Sequence, residues 1–413
     1  MNIGVPREIK TAERRVAVTP YGVEKLVGAG HQVFIESGAG IGSGFTDFQY
    51  SSAGAHVVPV EKVWQQKLIV KVKEPLGPEF DRMQDGQVLF TYLHLASSKE
   101  LTLKLLKKNI VAYGYETIQL EDGSLPLLAP MSQVAGRLAP QFGARCLESV
   151  NGGKGILLGG VPGIGCARVL ILGAGVAGTH AAIIADGMGA WVTAMDINKD
   201  KLNRLQAQVP VHIVLSTPED LKREIADADL VISTILIPGA KAPKLITREM
   251  LRTMEKGSAF VDVAIDQGGS AETSRPTTLT EPMYIEEGIV HCCVANMPGA
   301  VPRVSTLALT NATLPYILEL AESPFNPPNR ALWKGMNVFC GALGIREVAD
   351  AHGMDMYGRE GLHKAPPWVE EKNRIEVETS LCPHCYEQCH NHIEWDELCE
   401  ECKEKNWHLK DRL

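Results

Sequence analysis

The stretch Arg168–Ala185, RVLILGAGVAGTHAAIIA, decides how the fold is read. Arg168–Leu172 has the pattern of a short buried strand, Gly173-Ala-Gly175-Val-Ala-Gly178 that of a turn, and Thr179–Ala185 that of a small-residue helix. The first glycine permits a tight turn, the second lets a pyrophosphate approach the backbone, and the third lets the helix pack closely on the strand. The helix N-terminus then favours the phosphate charge. By itself GxGxxG is a weak signal. Here a second strand, Trp191–Met195, follows and runs into Asp196, 23 residues beyond Gly173, where an acidic side chain reaches the ribose hydroxyls of a dinucleotide. Its charge repels the extra phosphate of NADP, and Ile197-Asn198-Lys199 brings no Arg directly after it, so the reading favours NAD. The alternative is a bare structural turn.

Outward from this stretch, apolar runs alternate with helical patterns, the mark of βαβ units and a largely parallel sheet. Strands are expected at Asn2–Val5, Gln32–Ile35, Leu68–Val72, Val88–Leu93 and Val111–Ala112, and again at Val169–Leu172, Trp191–Met195, Leu230–Thr234 and Ala259–Val263. The glycine-rich stretch Asn151–Gly165 separates the two sets. The fold class expected is therefore α/β, with two doubly wound, Rossmann-like domains, a cleft between them and a small Cys-rich tail. A helix is expected at Ala308–Leu320, and the prolines of Ser323–Asn329 (SPFNPPN) end it. Ile237–Ala240 and Asp266–Gly269 follow strands of the second set, so both loops lie at the carboxyl ends where ligands sit. Asp before Gly is also a common turn former, which leaves Asp266 open between turn and function.

The chain has 413 residues, 45% apolar and 22% charged, with no run long and apolar enough for a membrane span. A net charge of −8 gives no reason to expect nucleic acid or an anionic membrane as partner. The opening MNIGVPREIK lacks a signal-peptide pattern, so the cytoplasm is expected. Five of the ten cysteines fall in the last 32 residues, and Glu370–Leu413 has 12 acidic against 6 basic side chains. Residues 363–381 read as a linker and 382–413 as a separate tail. In that tail Cys382-x2-Cys385 and Cys399-x2-Cys402 form two CxxC knuckles 13 residues apart, close to zinc-ribbon spacing. Structural zinc on these four thiolates is the expectation; a single iron suits them too, and the alternative is an acidic tail with free thiols. Cys146, Cys166, Cys292, Cys293 and Cys340 show no ligand spacing and are expected to be small buried hydrophobes.

In the first set of strands, side-chain alternation puts Lys71 and Lys73 on one face and Phe90, Tyr92 and His94 on another. Strands of a covered parallel sheet should be almost wholly apolar, so these groups either emerge into solvent at strand ends or are compensated by a bound anion. Two successive strands with the same feature favour the anion. Arg14 and Arg15 follow the first strand and its loop. One of them could clamp a carboxylate, although composition alone gives each a surface role.

With these residues in place, the chain from Met1 to about Gly353 resembles the alanine dehydrogenases. The resemblance rests on Pro6-Arg-Glu8 with Arg15-Val-Ala17, Glu36–Gly44, Lys71-Val-Lys-Glu-Pro75, Thr91–Ala96, Tyr115-Glu-Thr117, Ser124–Pro130 and Gly159–Gly163. It continues through Ile237–Lys244, Val261–Gly269 and Val294–Thr313. It implies Arg15 and Lys73 on the substrate carboxylate and carbonyl, with Tyr92 beside them. It also implies His94 as acid/base, Asp266 next to the reacting carbon and Asp196 on the adenosine ribose. Asn296 and Met297 fall in a loop that contacts the nicotinamide, and Ser132 in a cofactor-proximal loop with Gly173, Gly175 and Gly178. The implied organisation is a substrate domain of 1–126 plus 302–362 around an NAD-binding domain of 127–301, assembled as a homo-oligomer, commonly a hexamer. The implied reaction is NAD-dependent conversion of L-alanine to pyruvate and ammonium, and its reverse. The sequence departs from the family at Gln133 (usually Glu), at Ser270 (usually Cys) and in the tail. The remaining readings are a related dehydrogenase for another small amino or oxo acid, a transhydrogenase subunit, which the substrate residues disfavour, and a catalytically silent NAD-responsive adaptor acting through the tail.

Overall fold

A computed structural model describes residues 1–235, 243–325, 327–339 and 341–356. In chain order the strands are β1 (Asn2–Val5), β2 (Gln32–Glu36), β3 (His56–Val58), β4 (Leu68–Val70), β5 (Val88–Thr91) and β6 (Val111–Gly114). They continue with β7 (Arg168–Leu172), β8 (Trp191–Asp196), β9 (His212–Leu215), β10 (Leu230–Ser233), β11 (Ala259–Asp262), β12 (Met283–Glu286) and β13 (Ile289–Cys292). The last two are β14 (Met336–Phe339) and β15 (Ala342–Leu343). The described residues divide into two units, one of Met1–Leu128 with the described part of the segment that starts at Thr306, the other Ala129–Ser305.

The first unit carries the sheet β15-β14-β6-β5-β4-β1-β2-β3. Strands β1 to β6 are parallel, in register pairs such as Ile3↔Val33 and Ile69↔Leu89, and β14 and β15 close one edge antiparallel. Its central strands are apolar on both faces: Ile3, Val5, Leu68, Ile69, Val70 and Phe90 are all fully buried. This is what a parallel sheet covered by helices demands. Trp64, Ile69, Phe80, Leu89, Leu101, Leu105 and Val338 form one continuous core.

The second unit carries the sheet β12-β13-β11-β10-β7-β8-β9, parallel except for β12. Leu170, Leu172, Val231, Phe260 and Ile289 lie in its core. In both units the parallel strands follow the order 3-2-1-4-5-6, so the chain reverses direction between β1 and β4 in one and between β7 and β10 in the other. Ligands of such sheets bind at the carboxyl ends of the strands beside that reversal.

Several expectations need correction. β4 stops at Val70 and β5 at Thr91, so Lys71, Lys73, Tyr92 and His94 lie on the loops beyond the strands rather than along their faces. The helix expected at Ala308–Leu320 runs from Pro302 to Glu322 with Pro315 inside it. Cys166 is exposed, because it sits in the irregular glycine-rich run before β7, whereas Cys146, Cys292 and Cys293 are buried. Cys340, the loop Ile237–Ala240, the linker 363–381 and the four tail cysteines lie outside the described residues. Among the described residues no helix is long and apolar enough to cross a membrane.

Candidate active site

In the first unit the loops after β1, β4 and β5 supply the candidate substrate residues, all at the carboxyl ends next to the reversal. Arg15, given a surface role by composition, is 2% exposed. Its guanidinium donates from Nε to Glu13 Oε1 at 2.8 Å and from a terminal nitrogen to Glu13 Oε2 at 2.6 Å, a bidentate pair in which both side chains are buried. Arg14, its neighbour, is exposed. Burial opposes the charge on Arg15, but the Glu13 carboxylate outweighs it and holds the guanidinium charged.

Lys71 and Lys73 do not emerge into solvent; they are 0% and 6% exposed. Lys71 Nζ donates to Glu79 Oε1 at 2.7 Å and to Glu8 Oε2 at 3.1 Å. Glu8 also accepts the Val72 N–H at 2.7 Å, and Glu79 accepts that of Leu76 at 2.9 Å. Burial disfavours the Lys71 ammonium, yet the two carboxylates hold its pKa above the ordinary lysine value. Burial lifts the Glu8 carboxyl in spite of Lys71. Lys71 is thus compensated within the protein by two buried carboxylates. The Lys73 carbonyl accepts the Thr91 hydroxyl at 2.9 Å, tying the β4 and β5 loops together.

His94 occupies the left-handed region, at φ 48°, uncommon for a residue with a Cβ and a pointer to function when it is held in place. Glu116 holds it by accepting the backbone N–H of His94 at 2.6 Å and that of Leu93 at 3.0 Å. The imidazole stacks on Tyr92, ring centroids 5.9 Å apart, and its Nδ1 lies 3.0 Å from Glu74 Oε2. Lys10 Nζ reaches the other Glu74 oxygen at 2.6 Å. Burial of Glu74 opposes ionisation, but His94, Lys10 and Lys73 together keep its carboxyl far below the usual range. Tyr92 is buried, and its hydroxyl donates to the Leu127 carbonyl at 2.6 Å. Burial raises its phenol pKa, so Tyr92 stays neutral beside Arg15.

In the second unit the glycine motif folds as its spacing requires. Gly173 has φ 99°, and a Cβ on Gly178 would collide with the Gly173 carbonyl oxygen. Gly175 caps the helix Val176–Gly187, and a Cβ there would meet nothing within 4 Å. That open approach to the helix N-terminus is what a dinucleotide pyrophosphate needs, so these residues fit NAD. The helix Ala129–Cys146, with half-buried Ser132 in its first turn, packs closely on this one. A Cβ on Gly136 would strike the carbonyl of Ala177. Asp196 closes β8 and accepts the Ala174 N–H at 2.7 Å and the Asn198 N–H at 2.8 Å, so the acidic side chain braces the glycine turn it faces. Thr234, after β10, donates to the carbonyls of Leu172 and Gly173.

Asp266 is exposed on the 3-10 turn Val263–Gln267 after β11, and its carboxylate accepts the Asn296 N–H at 3.2 Å. Asn296 itself is left-handed, at φ 59°, and the next residue, Met297, is buried. The loop is anchored by fully buried Asp262, which accepts from the Ala264 N–H at 3.0 Å, the Ser270 N–H at 2.7 Å and the hydroxyls of Ser270 and Ser274 at 3.2 and 2.6 Å. Ser270 therefore serves the site as a hydroxyl donor to this anchor.

The structure groups Arg15, Tyr92, His94 and, through Glu74, Lys73 in the first unit. In the second it groups the glycine turn with Asp196, and Asp266 with Asn296. Glu13, Glu74 and Glu116, which hold Arg15 and His94, were not singled out from sequence. Glu74 and Glu116 do lie inside the motif blocks Lys71–Pro75 and Tyr115–Thr117, where an acidic residue next to a candidate site residue was the available signal.

Two α/β units, each with its reactive loops at a topological reversal and one with a dinucleotide turn, define a Rossmann-type nucleotide-dependent protein. Family models described as "Alanine dehydrogenase/PNT, N-terminal domain" and "Alanine dehydrogenase/PNT, C-terminal domain" match residues 4–135 and 139–345, and the chain belongs to this alanine dehydrogenase family. It is 49% identical over 371 residues to alanine dehydrogenase 2 of Staphylococcus aureus (strain MRSA252), covering 88% of this chain and 100% of that one. A solved L-alanine dehydrogenase superposes with a TM-score of 0.82 at 49% identity, covering 86% of this chain and 99% of that one. A transhydrogenase from Sinorhizobium meliloti superposes with a TM-score of 0.72 at 25% identity, covering 83% and 98%.

Proposed function

We propose that this chain catalyses the oxidative deamination of L-alanine to pyruvate and ammonium with NAD, and the reverse reductive amination. The observation that carries the reading is the 49% identity to an alanine dehydrogenase along that relative's entire length. NAD, when bound, supplies the acceptor for the hydride that leaves the substrate α-carbon.

In this reading Arg15 and Lys73 bind the substrate carboxylate and carbonyl. Arg15 is held by Glu13 so that its fork enters the reaction already oriented. Lys73 stays cationic and polarises the carbonyl of pyruvate. His94 moves the proton, the part an imidazole most often takes as general acid and base. Asp266 stabilises the positive charge that develops on nitrogen as the imine forms, and water then adds to release ammonium. The glycine turn Gly173–Gly178 takes the pyrophosphate, Asp196 the ribose hydroxyls, Asn296 and Met297 the nicotinamide side, and Ser132 the cofactor-proximal helix start. The Asp196 charge selects NAD over NADP. The domain assignment of 1–126 with 302–362 to substrate and 127–301 to NAD follows from the same roles.

The family resemblance further supports a homo-oligomer. In the tail, Cys382, Cys385, Cys399 and Cys402 supply four thiolates for a structural zinc. Among the described residues no cluster of His, Cys, Asp and Glu suits a metal, and the hydride chemistry requires none.

NADH oxidation with pyruvate plus ammonium, compared with glyoxylate, 2-oxobutyrate and longer oxo acids, tests the substrate. Pyruvate is expected to give the highest kcat/KM. Preference for another oxo acid would reassign the chain within its class, and activity with none would favour the adaptor reading.

A further inference from the structure

We propose that Glu74 is a positioning residue that fixes the proton of His94 on Nδ1 and leaves Nε2 as the atom that exchanges a proton with substrate. The inference rests on the reading of His94 as acid/base and deepens it.

The geometry carries it. Glu74 Oε2 lies 3.0 Å from His94 Nδ1, and the Glu74 side chain is 13% exposed against 37% for His94. An ionised carboxylate only accepts, so the ring nitrogen facing it must carry hydrogen. Nε2 bonds to none of the described residues and belongs to the more open side chain. The backbone is locked separately, because Glu116 takes the N–H groups of Leu93 and His94 and holds the left-handed conformation. Two carboxylates from different loops thus fix one histidine, one at the ring and one at the backbone. The depressed pKa of Glu74 agrees with a carboxylate that stays ionised throughout.

The groups facing this pair are Lys10 on the far oxygen of Glu74, Lys73 beside Glu74, Glu116 at the His94 backbone and Tyr92 stacked on the ring. Their signs make a test possible. Glu74 favours the imidazolium, whereas Lys10 partly neutralises Glu74. Removing the Glu74 charge must therefore lower the His94 pKa, and removing the Lys10 charge must raise it. A carboxylate with a merely structural part in a surface ion pair would give no such opposed movement.

The test uses the full-length enzyme and its Glu74→Gln, Glu74→Asp and Lys10→Met variants. The pH dependence of His94 acylation by diethyl pyrocarbonate, followed by peptide mass, reports the imidazole pKa without reference to activity. In parallel, kcat/KM for L-alanine against pH reports the base that must be unprotonated. Glu74→Gln is expected to lower both pKa values by about one unit. Lys10→Met is expected to raise both, and Glu74→Asp to restore the wild-type position. An acylation pKa that does not move in Glu74→Gln, or moves the same way in Lys10→Met, overturns the pairing. An acylation pKa that moves while the rate profile stays still overturns the part of His94 in the reaction, and with it this use of the pair.

Discussion

Replacing Lys71 by Met should cost the first unit about 3 kcal/mol, and the loss should grow with pH. Lys71 is fully buried with Glu79 at 2.7 Å and Glu8 at 3.1 Å, so its removal strands two carboxylates in the core. Breaking a buried ion pair from one side costs about 3–5 kcal/mol. Each carboxylate keeps one backbone donor, from Val72 or Leu76, which places the loss at the lower end of that range. The sign with pH follows from the carboxylates. Glu8 already stands above its unfolded value through burial, and without the opposing charge of Lys71 it stands further above it. A group raised in this way lets its full stability be felt below the unfolded pKa and loses it as pH rises through the folded one. Each proton that the folded form keeps and the unfolded form releases then costs about 1.4 kcal/mol per pH unit in that window. Hydrogen exchange of peptides covering β4 and β5, corrected for intrinsic pH dependence, gives the opening free energy in wild type and variant between pH 5 and pH 8. The triple change Lys71→Met, Glu8→Gln, Glu79→Gln should recover most of the loss, since it removes the stranded charges with the cation. A Lys71→Met deficit below about 1 kcal/mol, or one that does not change with pH, would refute the charge accounting.

Three further outcomes are expected. His94→Ala should lower kcat for alanine oxidation by at least about 100-fold, as loss of general acid–base catalysis does, and steady-state rates with near-normal turnover would remove His94 from the reaction. Asp196→Ala should weaken NAD binding and relax discrimination against NADP; titration of both cofactors checks this, and an unchanged preference contradicts it. Elemental analysis of protein purified without added metal should find close to one zinc per chain, lost on truncation after Ala365 while alanine oxidation persists. Fewer than about half an equivalent of zinc or iron would reject the thiolate site.

Much of the architecture was legible because it is written in local pattern. The run from Arg168 to Asp196 combines strand, turn, helix and acidic residue within one βαβ unit, so no long-range information is needed to read it. The strands not foreseen are β3, β9, β12, β13, β14 and β15. Several are short, β3 and β9 have partly exposed faces, and β12, β14 and β15 pair antiparallel at sheet edges, so their residues show no continuous apolar run.

Of the candidate substrate site, only some of the charged residues stood out in the sequence. Lys73 and His94 were conspicuous because they interrupt apolar sequence, but their supports are set by sheet order. β4 lies between β1 and β5, which brings Glu8 to Lys71 across 63 residues, and β5 lies beside β6, which brings Glu116 to His94 across 22. Arg15 shows the same principle from the other side. A surface arginine is the ordinary expectation, and closure on Glu13, itself buried, offsets the cost of placing Arg15 in the interior.

The most direct measurement is the product balance of the purified chain with L-alanine and NAD. NADH, pyruvate and ammonium should form in equal amounts, with D-alanine inactive and His94→Ala suppressing all three together. NADH without ammonium, or no NADH at all from L-alanine, would contradict oxidative deamination as the activity of this protein.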